Sequence, residues 1–198
     1  MAFTNIQLPT LSGENVFTRP LSPADVKSCV NVESAFVERE RCSEEKFVYR
    51  LKQTPNLCLG LFTSTNNEAQ LIGHIIANRS SAPTITDGSM QMPDNWQSLS
   101  EDSTVVVDNQ VIGNDPRGAN VAVHSVAISP EYQGKGVGKV LVKAYVEYIR
   151  STEVGAGQII LLCHDYLIPF YESAGFENRG RSLSQFGGGG WFDMVLDL

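Results

Sequence analysis

The chain is poor in cysteine, in basic side chains, in histidine and in long apolar runs, and each shortage narrows what it can be. Its four cysteines, Cys29, Cys42, Cys58 and Cys163, are scattered with no C-x-x-C pair among them. That spacing argues against a disulfide framework and against a zinc site, and no metal is expected. Against 22 Asp and Glu stand only 15 Lys and Arg, a net charge of -7. Nucleic-acid binding rests on Lys and Arg meeting phosphate, so this balance speaks against it and suits a small cationic substrate. No apolar run approaches the roughly 20 residues that cross a membrane. The opening Met-Ala-Phe-Thr-Asn-Ile-Gln has neither a basic segment nor an apolar core, so it does not read as a secretory signal. A soluble cytoplasmic protein is the expectation, monomeric or weakly dimeric, with no membrane partner. The glycosylation pattern Asn78-Arg-Ser80 then carries no meaning. The search for a base is confined to three histidines, His74, His124 and His164.

What is present fits one domain over 1–198, because 198 residues at 42% hydrophobic content can bury one sizeable core. Val16 to Arg19 reads as a first strand. Ser22 and Pro23 look like the N-cap and first residue of a helix running to about Glu38. Ser43 caps a second helix, whose Glu44 and Glu45 suit the positive helix end and which Pro55 terminates. Leu57 to Thr63 and Leu71 to Ala77 read as two strands joined by a hairpin at Ser64-Thr-Asn-Asn-Glu. Residues 79–118 hold six acids against two bases and much Ser, Thr, Pro, Asp, Asn and Gly, the composition of a long acidic insertion loop. A short strand after Phe176, a glycine loop at 187–190 and a last strand from Trp191 to Leu196 close the chain.

The most informative stretch is His124-Ser-Val-Ala-Ile-Ser-Pro-Glu-Tyr-Gln-Gly-Lys-Gly-Val-Gly-Lys139. Val121 to Ile128 are β-prone or small and read as a buried strand that Pro130 closes. From Val137 the apolar residues change period. Val137, Val140, Leu141, Ala144, Tyr145 and Tyr148 make one stripe of an amphipathic helix, so a helix opens at the glycines. The first turn of a helix offers backbone N–H groups without intrahelical partners, and phosphate oxygens bind there where small residues allow approach. No Ser or Thr follows a Gly-Lys pair at P-loop spacing, and Gly134-x-Gly136-x-Gly138 is not the dinucleotide fingerprint.

Gln133-Gly-Lys-Gly136-Val-Gly138 does match Q/R-x-x-G-x-G/A. Here the sequence resembles the GCN5-related N-acetyltransferase superfamily, in which that segment holds the pyrophosphate of acetyl-coenzyme A. A second segment, Cys163-x-Asp165-x-Leu-x-Pro169-Phe-Tyr171-x-x-x-Gly-Phe, joins Thr54-Pro-Asn-Leu-Cys-Leu-Gly-Leu-Phe62 and Glu33-x-Ala-Phe36 in resembling the arylalkylamine N-acetyltransferases and their fungal relatives that acetylate polyamines. The likeness runs over about residues 14 to 197. It implies an α/β fold with a single mixed central sheet flanked by about four helices. It also implies acetyl-coenzyme A as co-substrate, with Val126, Ala127 and Ile128 beside its pantetheine arm and Gln133, Gly134, Lys135, Gly136, Val137, Gly138 and Lys139 around its pyrophosphate.

An alkyl amine with a pKa of about 10.4 is neutral only about once in 10³ molecules at pH 7, so something must take its proton. At the other end a thiolate leaves, and a nearby acid assists it. His124 is the candidate base, on a strand face shared with Ala122, Val126 and Ile128. The arylalkylamine enzymes carry two histidines at i and i+2 on this strand; here the first position is Ala122. Tyr171, the tyrosine of the P-F-Y segment, is the candidate acid, because the resemblance implies that it lies against the coenzyme sulfur. His164 is an auxiliary candidate, and with Glu33 and Phe36 it is a candidate at the acceptor; the resemblance implies that Phe36 to Arg41 and Pro55 to Leu61 form parts of the acceptor pocket. His74, inside an apolar strand, is expected to be structural. Cys163 could suggest an acyl-cysteine, but that route needs an activated thiolate, and direct transfer in a ternary complex is the reading preferred. The expected activity is acetylation of small primary amines, either arylalkylamines or polyamines. Acetylation of peptides and a non-catalytic acyl-coenzyme A sensor are the alternatives.

Overall fold

In the computed structural model, residues 4–6, 8–11, 13–65, 68–152 and 155–198 are described. The elements run β1 (Thr4–Ile6), β2 (Asn15–Pro20), α1 (Val26–Glu33), α2 (Glu44–Gln53), β3 (Leu59–Thr65), β4 (Glu68–Ser80), β5 (Val105–Val107), β6 (Gln110–Ile112), β7 (Asn120–Ile128), α3 (Val137–Ser151), β8 (Gln158–Cys163), α4 (Ile168–Glu172), β9 (Glu177–Arg181) and β10 (Phe192–Asp197). Eight strands form one sheet in the order β1-β2-β3-β4-β7-β8-β10-β9, and β5 and β6 form a separate hairpin. β7 and β8 are parallel, whereas β2 with β3, β3 with β4 and β8 with β10 are antiparallel. This mixed sheet with four helices is the fold class that the sequence implied.

The chain divides into two compact units, Met1–Ile76 with Ser125–Ser151, and Ala77–His124 with Thr152–Leu198. In the first unit Phe17, Leu21, Val26, Cys29, Phe47, Leu51 and Phe62 form the core. α2 starts where expected, because Ser43 accepts the Lys46 N–H at 3.2 Å in the N-cap manner. Phe47 and Leu51, four residues apart and so on one face, are both fully buried. α3 buries Leu141, Val142, Tyr145 and Ile149, and Tyr145 donates its hydroxyl hydrogen to the Leu57 carbonyl at 2.8 Å.

The first helix corrects the sequence reading. It ends at Glu33 rather than about Glu38, because the next N–H groups turn back to carbonyls three residues earlier, Ser34 to Asn31, Ala35 to Val32 and Phe36 to Glu33. Arg41 then satisfies the Phe36 and Ser34 carbonyls at 2.7 and 3.2 Å. These contacts satisfy carbonyls just past the helix end, which have no intrahelical donor. The tip of the β3–β4 hairpin, Asn66 and Asn67, lies outside the described residues, and the strands on either side pair with Thr65 opposite Glu68.

In the second unit Ile85, Met90, Ala122, Ile160 and Val195 form a core with Leu162 and Phe186 against it. The expected 79–118 loop is therefore in part a folded element. It contributes Ile85 and Met90 to that core and holds the β5–β6 hairpin, whose two turn residues Asp108 and Asn109 take φ of 49° and 62° as a two-residue turn of primed type requires. Its Asp115 is buried and accepts hydrogen bonds from the hydroxyls of Ser81 and Thr104.

Candidate active site

In the first unit, β7 leads through a turn at Pro130–Tyr132 into the glycine segment and α3. Gly134 and Gly136 take φ of 72° and 79°, where a Cβ is strained, and a Cβ on either would meet no atom within 4 Å. The glycines are thus needed for the path of the chain, and open space lies beside both. The first N–H groups of α3 have no intrahelical acceptor. Gln133, Lys135 and Lys139 are exposed, Gly138 is half-buried and Val137 is buried as the first core residue of the helix. On the strand before them, Ala127 is buried while Val126 and Ile128 are half-buried. The Gln133 side chain does not point away to solvent; it donates to the Ile128 carbonyl at 3.1 Å and ties the strand end to the turn.

The same unit buries a polar cluster that the sequence reading did not assemble. Glu33, His74 and Ser125 are 1%, 0% and 5% exposed. Ser125 donates to Glu33 Oε1 at 2.5 Å, and the Cys42 N–H donates to Oε2 at 2.9 Å. His74 Nε2 lies 3.1 Å from Ser125 Oγ and 3.6 Å from Glu33 Oε1. The single Ser125 hydrogen points to Glu33, so His74 Nε2 carries a hydrogen and donates to Ser125. Burial alone would raise the Glu33 carboxyl, but the contacts with His74, Ser125 and the Cys42 N–H outweigh it and hold the group below its ordinary range. Glu33 is therefore an internal carboxylate with its acceptors engaged, which departs from the acceptor-pocket role expected of it. Phe36 is half-buried against the core of this unit.

In the second unit His124 is half-buried on β7. Its Nε2 lies 2.8 Å from Asn78 Oδ1 and its Nδ1 2.8 Å from Met90 Sδ. Asn78 donates its amide to the Ser89 carbonyl at 3.4 Å, which turns Oδ1 toward the imidazole. Nε2 therefore carries a hydrogen toward Asn78, while Nδ1 faces a thioether sulfur that can only accept. Tyr171 is 5% exposed on α4, packed edge-on against Phe170 and Phe176 with ring centroids 4.9 and 5.6 Å away. Burial, with a smaller contribution from Cys163, pushes its hydroxyl far above the usual phenol range, so it stays protonated. Burial likewise raises the Cys163 thiol to about 11, which removes the activated thiolate that an acyl-cysteine route needs. His164 follows β8 and stacks on Trp191 with centroids 4.2 Å apart.

Two residues with a bearing on chemistry escaped the sequence reading. Ser125 lies between His124 and Val126, inside a strand pattern that assigns it no role. Asp193 is a buried acid on β10, and its one visible signal was a carboxylate inside the apolar run Trp191-Phe-Asp-Met-Val-Leu196.

Among known proteins, the chloroplastic GCN5-related N-acetyltransferase 2 of Arabidopsis thaliana is 36% identical over 58 residues, 29% of this chain and 22% of that protein. The serotonin N-acetyltransferase of Mesocricetus auratus is 25% identical over 166 residues, 82% of this chain. The chain thus spans 22% of the first relative's length and 68% of the second's. Among solved structures, the NatC complex bound to Gag peptide and CoA superposes with a TM-score of 0.62 at 17% identity, over 92% of this chain and 98% of that one. At that identity the likeness is one of fold. The acetyltransferase (GNAT) domain family matches residues 90–198, more than half of the sequence. The chain belongs to the GNAT acetyltransferases.

Proposed function

We propose that this protein transfers the acetyl group of acetyl-coenzyme A directly to small primary amines, arylalkylamines or polyamines. The observation that carries the reading is the Pro169-Phe170-Tyr171 helix that follows β8, with the Tyr171 phenol packed edge-on against Phe170 and Phe176. The 25% identity to a serotonin N-acetyltransferase supports the amine class.

The residues present fit the co-substrate. Gly134 and Gly136 leave room beside the first turn of α3, and Lys135 and Lys139 are exposed cations in the same segment. These residues would hold the pyrophosphate, with the main chain of Val126 to Ile128 beside the pantetheine arm. Acetyl-coenzyme A supplies the acetyl group as a thioester. The amine forms the new C–N bond as the C–S bond breaks. The amine nitrogen gives up two protons, one to His124 before it attacks and one from the tetrahedral adduct, and the second replaces the proton that the Tyr171 hydroxyl gives to the departing sulfur. With Ala122 in place of a second histidine, water or an acidic group completes the outward proton path.

The test is thiol release from acetyl-coenzyme A with tryptamine, serotonin, phenethylamine, spermidine, spermine and a peptide offered in parallel. Release with the small amines is expected. Release with the peptide alone would replace this reading with peptide acetylation, and binding of acetyl-coenzyme A without release would make the protein a sensor.

A further inference from the structure

Asp193 on β10 is 9% exposed, and its Oδ1 has no hydrogen-bond partner among the described residues. The Ser182 hydroxyl donates to its carboxylate. A buried carboxylate oxygen without a donor is costly, and such groups persist in folded proteins where something else meets them.

The register shows what shares its surroundings. Val195 lies opposite Ile160 on β8, Ile160 lies opposite Ala122 on β7, and the three pack in one core cluster with Ile85 and Met90. Side chains two apart in a strand share a face. Asp193 lies opposite Leu162. Asp193, Leu162 and His124 are each two residues on from Val195, Ile160 and Ala122, so they make the next row of the same face. The candidate base and the Asp193 carboxylate are then about 10 Å apart, two strand spacings. One row further, Trp191 meets His164, with ring planes at 25° and centroids 4.2 Å apart. Tyr166 stacks on His164 as well, at 5.5 Å, and is exposed. Phe186 holds the Trp191 indole by accepting its N–H at 2.7 Å.

We propose that Asp193 binds the ammonium group of the acetyl acceptor and that the His164–Trp191 stack carries an aryl group attached to it, so that arylalkylamines rather than polyamines are the acceptors. The assignment rests on the amine-acetyltransferase reading above and narrows it. An ammonium supplies both the hydrogen bond and the charge that Oδ1 lacks. Aromatic faces favour aryl groups and cations alike. A polyamine carries several ammonium groups and calls for several carboxylates. Asp87, another acid of this unit, is already engaged by the Ser184 hydroxyl at 2.6 Å and by the N–H groups of Gln185 and Phe186 at 2.9 and 3.2 Å.

The experiment is calorimetric binding of tryptamine, butylamine and spermidine to the full chain with coenzyme A present, in the wild type and in Asp193→Asn and His164→Ala, alongside steady-state kinetics and thermal melting at pH 7. Asp193→Asn is expected to weaken tryptamine binding at least tenfold, to leave the KM for acetyl-coenzyme A within twofold and to leave the melting temperature the same or higher. His164→Ala is expected to weaken tryptamine and spare butylamine. Unchanged tryptamine affinity in Asp193→Asn, or a loss that comes with a lower melting temperature, would overturn the ammonium site. Tighter binding of spermidine than of tryptamine by the wild type would overturn the aryl assignment. Tryptamine bound through Asp193 but never acetylated would sink the amine-acetyltransferase reading alone, and acetylation indifferent to Asp193 would sink the site alone.

Discussion

Ser125 donates its hydroxyl hydrogen to Glu33 at 2.5 Å across 92 positions of sequence. The bond fastens the last residue of α1 to β7 at the position after the candidate base, and its acceptor is 1% exposed. Removing a donor from a buried carboxylate leaves desolvation uncompensated. Ser125→Ala is expected to lower stability by about 2 kcal/mol in urea titration. Glu33→Gln tests the same cluster through pH. The Glu33 carboxyl sits below its ordinary range when folded, so the unfolded chain takes up the proton first. Its stabilisation is complete above about pH 4.3 and is lost as pH falls through the folded value. The penalty of Glu33→Gln, measured as a urea midpoint, should be large at pH 7 and shrink as the pH falls below about 4. A penalty independent of pH would show that Glu33 is not held as a carboxylate.

Tyr171→Phe removes the proton donor while keeping the ring against Phe170 and Phe176. Turnover is expected to fall about 10²-fold with little change in acetyl-coenzyme A binding. Because burial raises this hydroxyl far above the phenol range, the wild-type rate should show no alkaline fall from Tyr171 up to about pH 10. Steady-state rates across pH check both statements. Undiminished turnover in Tyr171→Phe would remove its assigned role.

The elements that carried a periodicity were legible in the sequence, and those held by distant partners were not. α3 follows from the stripe Val137 to Tyr148 and the glycines before it, and α2 from Ser43 and Pro55, because these signals are local. The end of α1 depends on Arg41 and on the N–H of Cys42 reaching Glu33, which no nearby pattern announces. Within the site, His124 and Tyr171 stood out through motifs, whereas Asn78 and Met90, which set the state of His124, come from β4 and from a segment whose composition read as loop. Ser125 is one polar residue in a strand, and strand alternation alone gives such a residue no partner.

The Asn78 contact makes the base adjustable. Asn78 Oδ1 accepts from His124 Nε2 at 2.8 Å. Asn78→Asp places a carboxylate at that position, favours the imidazolium and raises the pKa of His124. A base works only when it has lost its proton, so the rising limb of the pH–rate profile should move about one unit or more toward alkaline pH. His124→Gln should abolish that limb's dependence on this residue. Identical profiles for the wild type and Asn78→Asp would mean that another group takes the amine proton.

The glycine turn can be separated from the chemistry by its backbone. Gly136 has φ of 79° with no atom within 4 Å of a Cβ placed on it, so Gly136→Ala meets no clash and carries only the strain of the left-handed region, about 1 kcal/mol. If the first N–H groups of α3 hold the pyrophosphate, even a small relaxation of that turn moves them off the phosphate oxygens. The KM for acetyl-coenzyme A is then expected to rise several-fold while kcat at saturation and the KM for the amine hold. Calorimetry with coenzyme A and with its 3′,5′-ADP fragment locates the loss. Weaker binding of coenzyme A alone places it at the pyrophosphate, because the fragment lacks that bridge. Coenzyme A affinity equal to that of the wild type would show that the turn shapes the chain without holding the co-substrate.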